Sequence, residues 1–357
     1  MKPSPALAPL GWLYLRAARL RDVLYRRGWL ASERVEIPVV CVGNLTAGGT
    51  GKTPAVAWLA ARLGEAGWRV AIVSRGYGGA GCGGPLLVGR DGLVVAEAAL
   101  AGDEPVQLAR AAAAPLVVVG ARRAEAVRFA ARHGAELAVL DDGFQHRRLA
   151  REFDLVLLDA ADPFGGGRGL PAGLLREPPG ALARAGAILL TRAPDDLLRG
   201  NGWLDLVRVP AAVREALLAI PERERPPVAS AAHRARRLAL PDGSHRPPEW
   251  LAGRRVLAVS AIARPDTFEA LLGACGAQVV DRLAWRDHHA FTAADAAEIR
   301  GRAPAPDAGL VVTTAKDVVR WPAAAPPPAV LEVELQVPAA QLLLERIGSA
   351  LERHADG

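Results

Sequence analysis

The sequence predicts an α/β fold: a doubly wound, mainly parallel sheet with a second, smaller α/β domain. Three observations carry this. Apolar runs of strand length at 37–42, 70–73, 115–119, 137–140, 155–158 and 187–190 alternate with helical stretches, the βαβ rhythm of a parallel sheet. The first run passes through a glycine-rich turn straight into a helix. Several runs end in Asp, Ser or Thr followed by polar turns, as strands do where their carboxyl ends form a ligand-binding edge. At 357 residues the chain has room for two domains, each with its own core. A Pro-, Arg- and Ala-rich stretch at 220–252 marks the junction. The expected parts are an N-terminal helix within 1–30, a larger domain 31–220 and a smaller one 221–357.

Composition bounds the function. Hydrophobic residues make up 51% and charged residues 23%, a globular balance and not a disordered one. The formal charge of +6 points to an anionic partner. With only three Tyr and six Phe, and no RNA-binding motif, nucleic acid is not expected as that partner. Cys41, Cys82 and Cys275 are few and far apart, which argues for a reducing compartment and against a disulfide scaffold or zinc site. No apolar run is long enough to span a bilayer, and no signal-peptide pattern opens the chain.

The first element is helical. Leu13, Ala17, Leu20 and Leu24 share a face by spacing, flanked by Arg16 and Arg27 and bracketed by Trp12 and Trp29. Such a basic amphipathic helix suits a membrane interface, although a first helix packed on its domain looks similar.

The strand at 37–42 leads into Val42-Gly-Asn-Leu-Thr46-Ala47-Gly48-Gly49-Thr50-Gly51-Lys52-Thr53-Pro54. Strand, glycine-rich turn, Gly-Lys-Thr and helix is the order that cradles phosphate. Backbone N–H groups turn inward, the helix N-terminus adds partial positive charge, Lys52 reaches the outer phosphates and Thr53 ligates Mg²⁺. The fold is therefore P-loop NTPase-like. Thr46 stands where the strict pattern has Gly. Lysine is otherwise confined to Lys2 and Lys316, which makes a chance Gly-Lys-Thr improbable.

Further motifs fall at the same predicted edge. Ser74, Arg75 and Tyr77, in Ser74-Arg-Gly-Tyr-Gly-Gly79, follow the second strand as candidate substrate contacts. Asp103 and Glu104 open a helix, where capping and macrodipole charge would also account for them. Asp141 and Asp142 end an apolar strand, followed by Gly143-Phe-Gln145-His146, a pattern suited to holding Mg²⁺ opposite Thr53. Asp159, ending the next strand, competes for that role. The glycine- and proline-rich loop 162–178 supplies Arg168, Arg176 and Glu177. In the second domain, Asp287-His288-His289 lacks the neighbours a zinc site needs, and a strand ends in Lys316-Asp317.

In this order the motifs resemble the tetraacyldisaccharide 4′-kinase family of Gram-negative lipid A synthesis. Arg26-Arg-Gly-Trp29, Gly102-Asp-Glu-Pro105, Gly169-Leu-Pro-Ala-Gly173, Leu175-Arg-Glu-Pro178, Asp287-His-His289 and Thr313-Thr-Ala-Lys-Asp317 extend the likeness over most of the chain. The resemblance implies an ATP- and Mg²⁺-dependent kinase acting on the 4′-hydroxyl of an acylated disaccharide 1-phosphate lipid. It also implies a peripheral enzyme on the anionic cytoplasmic face of the inner membrane. By the resemblance, Thr46 to Thr53 hold ATP, and Lys52 assists catalysis. Thr53, Asp141, Asp142 and Glu177 hold the metal. Asp103 pairs with His288 as catalytic base, and Ser74, Arg75, Tyr77, Gln145 and Arg176 contact substrate. One turn departs from the family: Ala261 and Ala263 replace two glycines, which restricts it to negative φ.

Two rival readings are weaker. A regulatory or maturation NTPase would share the loop, and Asp162-Pro-Phe-Gly165 fits a switch pattern, but the Asn-Lys-x-Asp guanine signature is absent. A non-catalytic scaffold would have no need of an intact Lys52, Thr53, Asp141 and Asp142 set.

Overall fold

The computed structural model describes residues 5–76, 79, 83–111, 114–287, 289–305 and 309–355. It divides into two compact units, residues 1–232 with 335–357, and residues 233–334.

The first unit runs α1 (Ala8–Arg26), β1 (Val39–Asn44), α2 (Lys52–Glu65), β2 (Val70–Ser74), β3 (Leu86–Arg90), β4 (Leu93–Val94), α3 (Ala98–Ala101), α4 (Asp103–Arg110), β5 (Leu116–Val119), α5 (Arg123–Arg132), β6 (Leu137–Asp141), β7 (Phe153–Asp159), β8 (Ala187–Thr191), α6 (Ala211–Leu218) and β9 (Val228–Ser230). Its nine strands are ordered β4-β3-β5-β2-β6-β1-β7-β8-β9. All pair in parallel except β3 and β4, which make an antiparallel edge.

Central strands are buried on both faces, which is why they read as unbroken apolar runs. Alternate residues serve two cores. Val39 and Cys41 of β1, Ala71 and Val73 of β2, and Ala138 and Leu140 of β6 join α5 and α6 in one cluster. Val40, Val42, Ile72 and Val139 are equally buried and face the other way, where α2 packs on β1, β2 and β6. With helices on both faces, the chemistry is left to the strand ends. β1 lies between β6 and β7 with Val42 opposite Asp141, and β7 meets β8 with Asp159 opposite Thr191. The loops after β1, β6, β7 and β8 therefore open at one edge.

The second unit holds β10 (Ala232–Ala239), β11 (His245–Arg246), β12 (Arg255–Ser260), α7 (Pro265–Ala274), β13 (Gln278–Ala284), α8 (Ala293–Arg302), β14 (Leu310–Thr314) and β15 (Ala329–Gln336). Its sheet is ordered β11-β10-β15-β14-β12-β13. The turn after β12 is closed by Asp317, which accepts the Ala261 N–H at 3.0 Å, while Arg320 donates to the Ala261 carbonyl at 2.9 Å. Neither Ala261 nor Ala263 adopts a positive φ. Helix α9 (Ala340–Ala355) then closes the chain.

The domain junction differs from the one expected at 220. Strand β9 still pairs with β8, and α9 packs on β7 with Arg346 Nε bonded to the Gly186 carbonyl at 2.8 Å. Both belong to the first unit. The Pro-rich composition at 220–252 marks a sheet edge, where Pro is tolerated, as well as a boundary.

Helix α1 has an inner and an outer face. Gly11 and Asp22 are its buried residues, and Leu15 packs against the core beside them. Gly11 allows close approach, since a Cβ there would lie 2.6 Å from the Gly169 carbonyl oxygen. The stripe of Leu13, Ala17 and Leu20 points outward, with Leu13 59% and Leu20 60% exposed.

The β1 end is tightly packed. A Cβ on Gly43 would lie 2.5 Å from the Phe144 Cβ and 2.9 Å from its backbone nitrogen. Gly43→Ala is expected to cost about 1–3 kcal/mol in thermal or denaturant unfolding. Gly64→Ala on α2, where a Cβ meets nothing within 4 Å, is expected to be neutral or stabilising by about 0.5–1 kcal/mol.

Candidate active site

The loop between β1 and α2 is built in two halves. Residues 45–47 pair with the loop at 174–176: Ala47 N–H donates to the Leu174 carbonyl at 2.7 Å, and Arg176 N–H to the Leu45 carbonyl at 2.7 Å. Thr46 is bridged to Leu175. That pairing explains Thr46 in place of Gly, since a β-branched residue suits extended backbone. The second half turns on Gly48 (φ 114°) and Gly51 (φ 83°), and α2 begins at Lys52. Thr53 occupies its first turn. The Asn44 amide donates to the Thr50 hydroxyl at 2.9 Å, fixing the loop to the strand it leaves.

Two carboxylates sit opposite, with opposite electrostatics. Asp141 ends β6 almost fully buried and accepts the Ser74 hydroxyl at 3.1 Å. Burial pushes its pKa up to about 6, with help from Glu104 and Asp142 and against Lys52 and the Ser74 bond. Asp142 follows in the left-handed region at φ 52°. Burial acts upward on it too, but Lys52 at 3.8 Å and Arg176 at 2.9 and 3.0 Å outweigh burial and hold it below the usual carboxylate range. Gln145 lies in the same loop. Its amide donates to the Asn44 carbonyl at 2.8 Å, and its oxygen lies 3.5 Å from Arg176 Nη1. Lys52, Asp142, Gln145 and Arg176 are thus joined.

The structure sorts the other sequence candidates. Asp159 pairs with Arg192 at 2.6 Å and accepts the Ala161 N–H at 3.0 Å, so it is committed away from a metal role. Ser74 is buried and spent on Asp141, not presented to a substrate. Glu177 is not joined to the Asp141–Asp142 pair. Its carboxylate pairs with Arg184 at 2.8 Å and Arg21 at 3.5 Å. Arg75 is exposed beside Gly76. Asp103 and Glu104 open α4, delivered by the segment 100–102 that packs under Gly79. Tyr77 and His288 lie outside the described residues, so their expected roles have no structural counterpart here.

Residues that the motifs did not single out complete the setting. Arg123, at the start of α5, is buried, donates to the Gly120 carbonyl at 2.8 Å and acts electrostatically on Asp141; burial lowers its own pKa. Burial, then the charges of Arg123, Arg151, Arg148 and Arg75, hold the His146 pKa down to about 4, so its ring is neutral at pH 7. Arg151 donates to the carbonyls of Phe144 and His146, both at 2.9 Å, and so clamps the loop after β6. From outside, Asp22 of α1 pairs with Arg147 and, at 2.9 Å, with Arg184, which stacks 4.3 Å over the Phe144 ring. The sequence signal for Arg123 was an Arg just past a buried strand, one among many arginines.

Among the described residues no group of three or more His, Cys, Asp or Glu is disposed to hold a metal. The oxygen donors present, Asp141, Asp142 and the Thr53 hydroxyl, instead suit Mg²⁺, which takes one or two carboxylates and fills its shell with water and phosphate. A desolvated, partly uncompensated Asp141 beside an anion-binding loop favours a cation between them.

This parallel sheet, with its glycine loop, Gly-Lys-Thr and facing carboxylates, defines a P-loop phosphotransferase. Comparison with known proteins narrows the class. The chain belongs to the tetraacyldisaccharide-1-P 4′-kinase family, whose model matches residues 3–352. It is 47% identical over 311 residues to the tetraacyldisaccharide 4′-kinase of Anaeromyxobacter dehalogenans, covering 85% of this chain and 78% of that one. The enzyme of the same name from Syntrophotalea carbinolica is 42% identical over 317 residues, covering 88% and 82%. Among solved structures, LpxK from Aquifex aeolicus in complex with ATP matches with a TM-score of 0.76 and 27% identity, over 97% of this chain and 98% of that one.

The raised Asp141 pKa has a definite sign in stability. The folded chain binds a proton more tightly here than the unfolded chain, whose Asp titrates near 3.8. In metal-free buffer, Asp141 then contributes nothing adverse below pH 4 and becomes increasingly destabilising as pH rises to about 6, reaching about 3 kcal/mol above it. Asp141→Asn is expected to be more stable than the parent at pH 7.5, with the difference vanishing near pH 4. Denaturant unfolding in EDTA across that range checks it.

Proposed function

We propose that the chain transfers the γ-phosphoryl group of ATP to the 4′-hydroxyl of a tetraacylated disaccharide 1-phosphate. The observation that carries this reading is the placement of the buried Asp141 at the strand end opposite Val42, with Asp142 next to it paired to Lys52 of the glycine loop's helix. That arrangement is a cation site built against a triphosphate cradle.

Each residue has a chemical task. The amides of residues 48–53 and the α2 N-terminus hold the phosphates. Lys52 leaves its ground-state partner Asp142 for the phosphate oxygens and neutralises charge in the transfer. Thr53, Asp141 and Asp142 would hold Mg²⁺, which supplies further charge neutralisation when bound. Arg176 fixes the Asp142 carboxylate, and Gln145 fixes the loop to β1. Asp103, at the start of α4, accepts the proton of the sugar hydroxyl. A hydroxyl is a poor nucleophile until a positioned base takes that proton. Arg75, exposed next to this edge, meets the anionic acceptor.

The acceptor is a lipid, and α1 is the part of the chain suited to meet its membrane. Trp12 is 60% and Trp29 72% exposed, on either side of the outward Leu13 and Leu20. Arg16, Arg19 and Arg27 are exposed for anionic headgroups. Among the described residues, no helix is long and apolar enough to cross a membrane. In this reading helix α1 lies in the interface of the inner membrane, on the cytoplasmic leaflet where ATP is available.

Purified protein incubated with ATP, Mg²⁺ and the acylated disaccharide 1-phosphate in detergent is expected to yield the bis-phosphorylated lipid; no such product would remove the kinase reading. Asp103→Asn should lower kcat by about 10²–10⁴ with little change in ATP affinity. Equal loss of both would take the base role from Asp103. A triple Trp12→Ser, Leu13→Ser, Leu20→Ser variant should lose binding to anionic vesicles about tenfold or more while keeping kcat in micelles. Undiminished vesicle binding would refute the interfacial helix.

A further inference from the structure

The end of β8 touches the phosphate loop from behind. The Thr191 hydroxyl donates to the Thr50 carbonyl at 2.9 Å and lies 3.3 Å from the Leu158 carbonyl. The next residue, Arg192, donates from Nη2 to the Gly49 carbonyl at 2.9 Å and to Asp159 at 2.6 Å, with Nε 3.2 Å from the same carboxylate oxygen. Thr191 is fully buried, and the Asp159 side chain is 4% exposed. Arg192 has a φ of 54°. Of the three described non-glycine residues with positive φ, Asp142 and Arg192 both end strands at this edge. Left-handed backbone at a non-glycine residue is held only where surrounding contacts compensate, and it concentrates at functional sites.

A trans peptide is planar, with its C=O and N–H pointing in opposite directions. Holding the Gly49 carbonyl toward Arg192 turns the Thr50 N–H to the other side. Holding the Thr50 carbonyl toward Thr191 does the same for the Gly51 N–H. Two consecutive amides are thereby aimed away from β8 and into the loop before any anion arrives. Glycine-rich loops otherwise lose conformational entropy on binding.

We propose that Thr191 and Arg192, with Asp159 as the anchor of the Arg192 guanidinium, are positioning residues that preset the Thr50 and Gly51 amides for the phosphates of the nucleotide. This rests on the assignment of ATP to the 48–53 loop. It gives Asp159 a role that is neither metal binding nor surface charge. The clamp acts on nucleotide affinity and leaves the acceptor untouched.

The test uses the full-length protein, titrated with a fluorescent ATP analogue and assayed with acceptor in micelles. Thr191→Val keeps shape and removes one hydrogen bond; it is expected to raise the nucleotide Kd and the KM for ATP about 3–10-fold. Arg192→Met should act similarly, with Arg192→Lys recovering part of the loss, since an ammonium reaches Gly49 without the planar fork. The KM for the acceptor should stay within about twofold in all three. If Thr191→Val does not fold, Arg192→Met, at a partly exposed position, decides alone. Unchanged nucleotide affinity in the folded variants, or a parallel rise in both KM values, overturns the proposal. A parent protein that binds no nucleotide removes the ATP assignment itself and this inference with it.

Discussion

The ion pair of Arg176 with Asp142, one guanidinium nitrogen set against both carboxylate oxygens, is the contact on which the site depends. It joins the loop after β6 to the loop at 174–176, and that second loop pairs with the first half of the phosphate loop. Three segments far apart in sequence are thus locked into one arrangement. Lys52 shares the same carboxylate from the other side, so Asp142 is neutralised while Asp141, one residue back, is not. Adjacent aspartates have been given different work by their neighbours: one organises the protein, and the other is kept short of positive charge.

The same division recurs with arginine. Arg151 ties carbonyls within the loop after β6, Arg192 ties the phosphate loop to β8, and Arg184 ties that edge to α1. Each is buried or half-buried and matched to carboxylates or carbonyls, so the excess of positive charge is only partly a surface property. Lys52, 3.8 Å from Asp142 and 3.5 Å from the Gly48 carbonyl, is left as a cation at the mouth of the phosphate loop. It can exchange a carboxylate for a phosphate with little reorganisation around it.

The sheet was legible because parallel strands buried on both faces must be continuously apolar, and the loops at their ends must carry the polar residues. Gly48 and Gly51 were legible for a related reason, since only glycine readily takes their positive φ. What escaped were choices between equally plausible partners. Asp141 and Asp159 look alike in sequence; the presence of Arg192 across from β7 tells them apart. Glu177 sits next to Arg176 in the chain but faces Arg184 and Arg21 instead of the carboxylate pair. Ser74 and Arg123 act on Asp141 from other strand ends, a relation set by strand order and invisible to spacing along the chain.

Asp22 joins the first helix to the loop after β6. On a helix whose Trp12, Leu13 and Leu20 look outward, it is the carboxylate that turns inward, to Arg147 and Arg184. Those two arginines flank Phe144 and Gln145, and so reach the same loop as Asp142. Trimming the helix away would bare two guanidiniums in the interior and loosen the loop they brace. Helix α1 and the shape of the loop after β6 are therefore properties of one continuous piece.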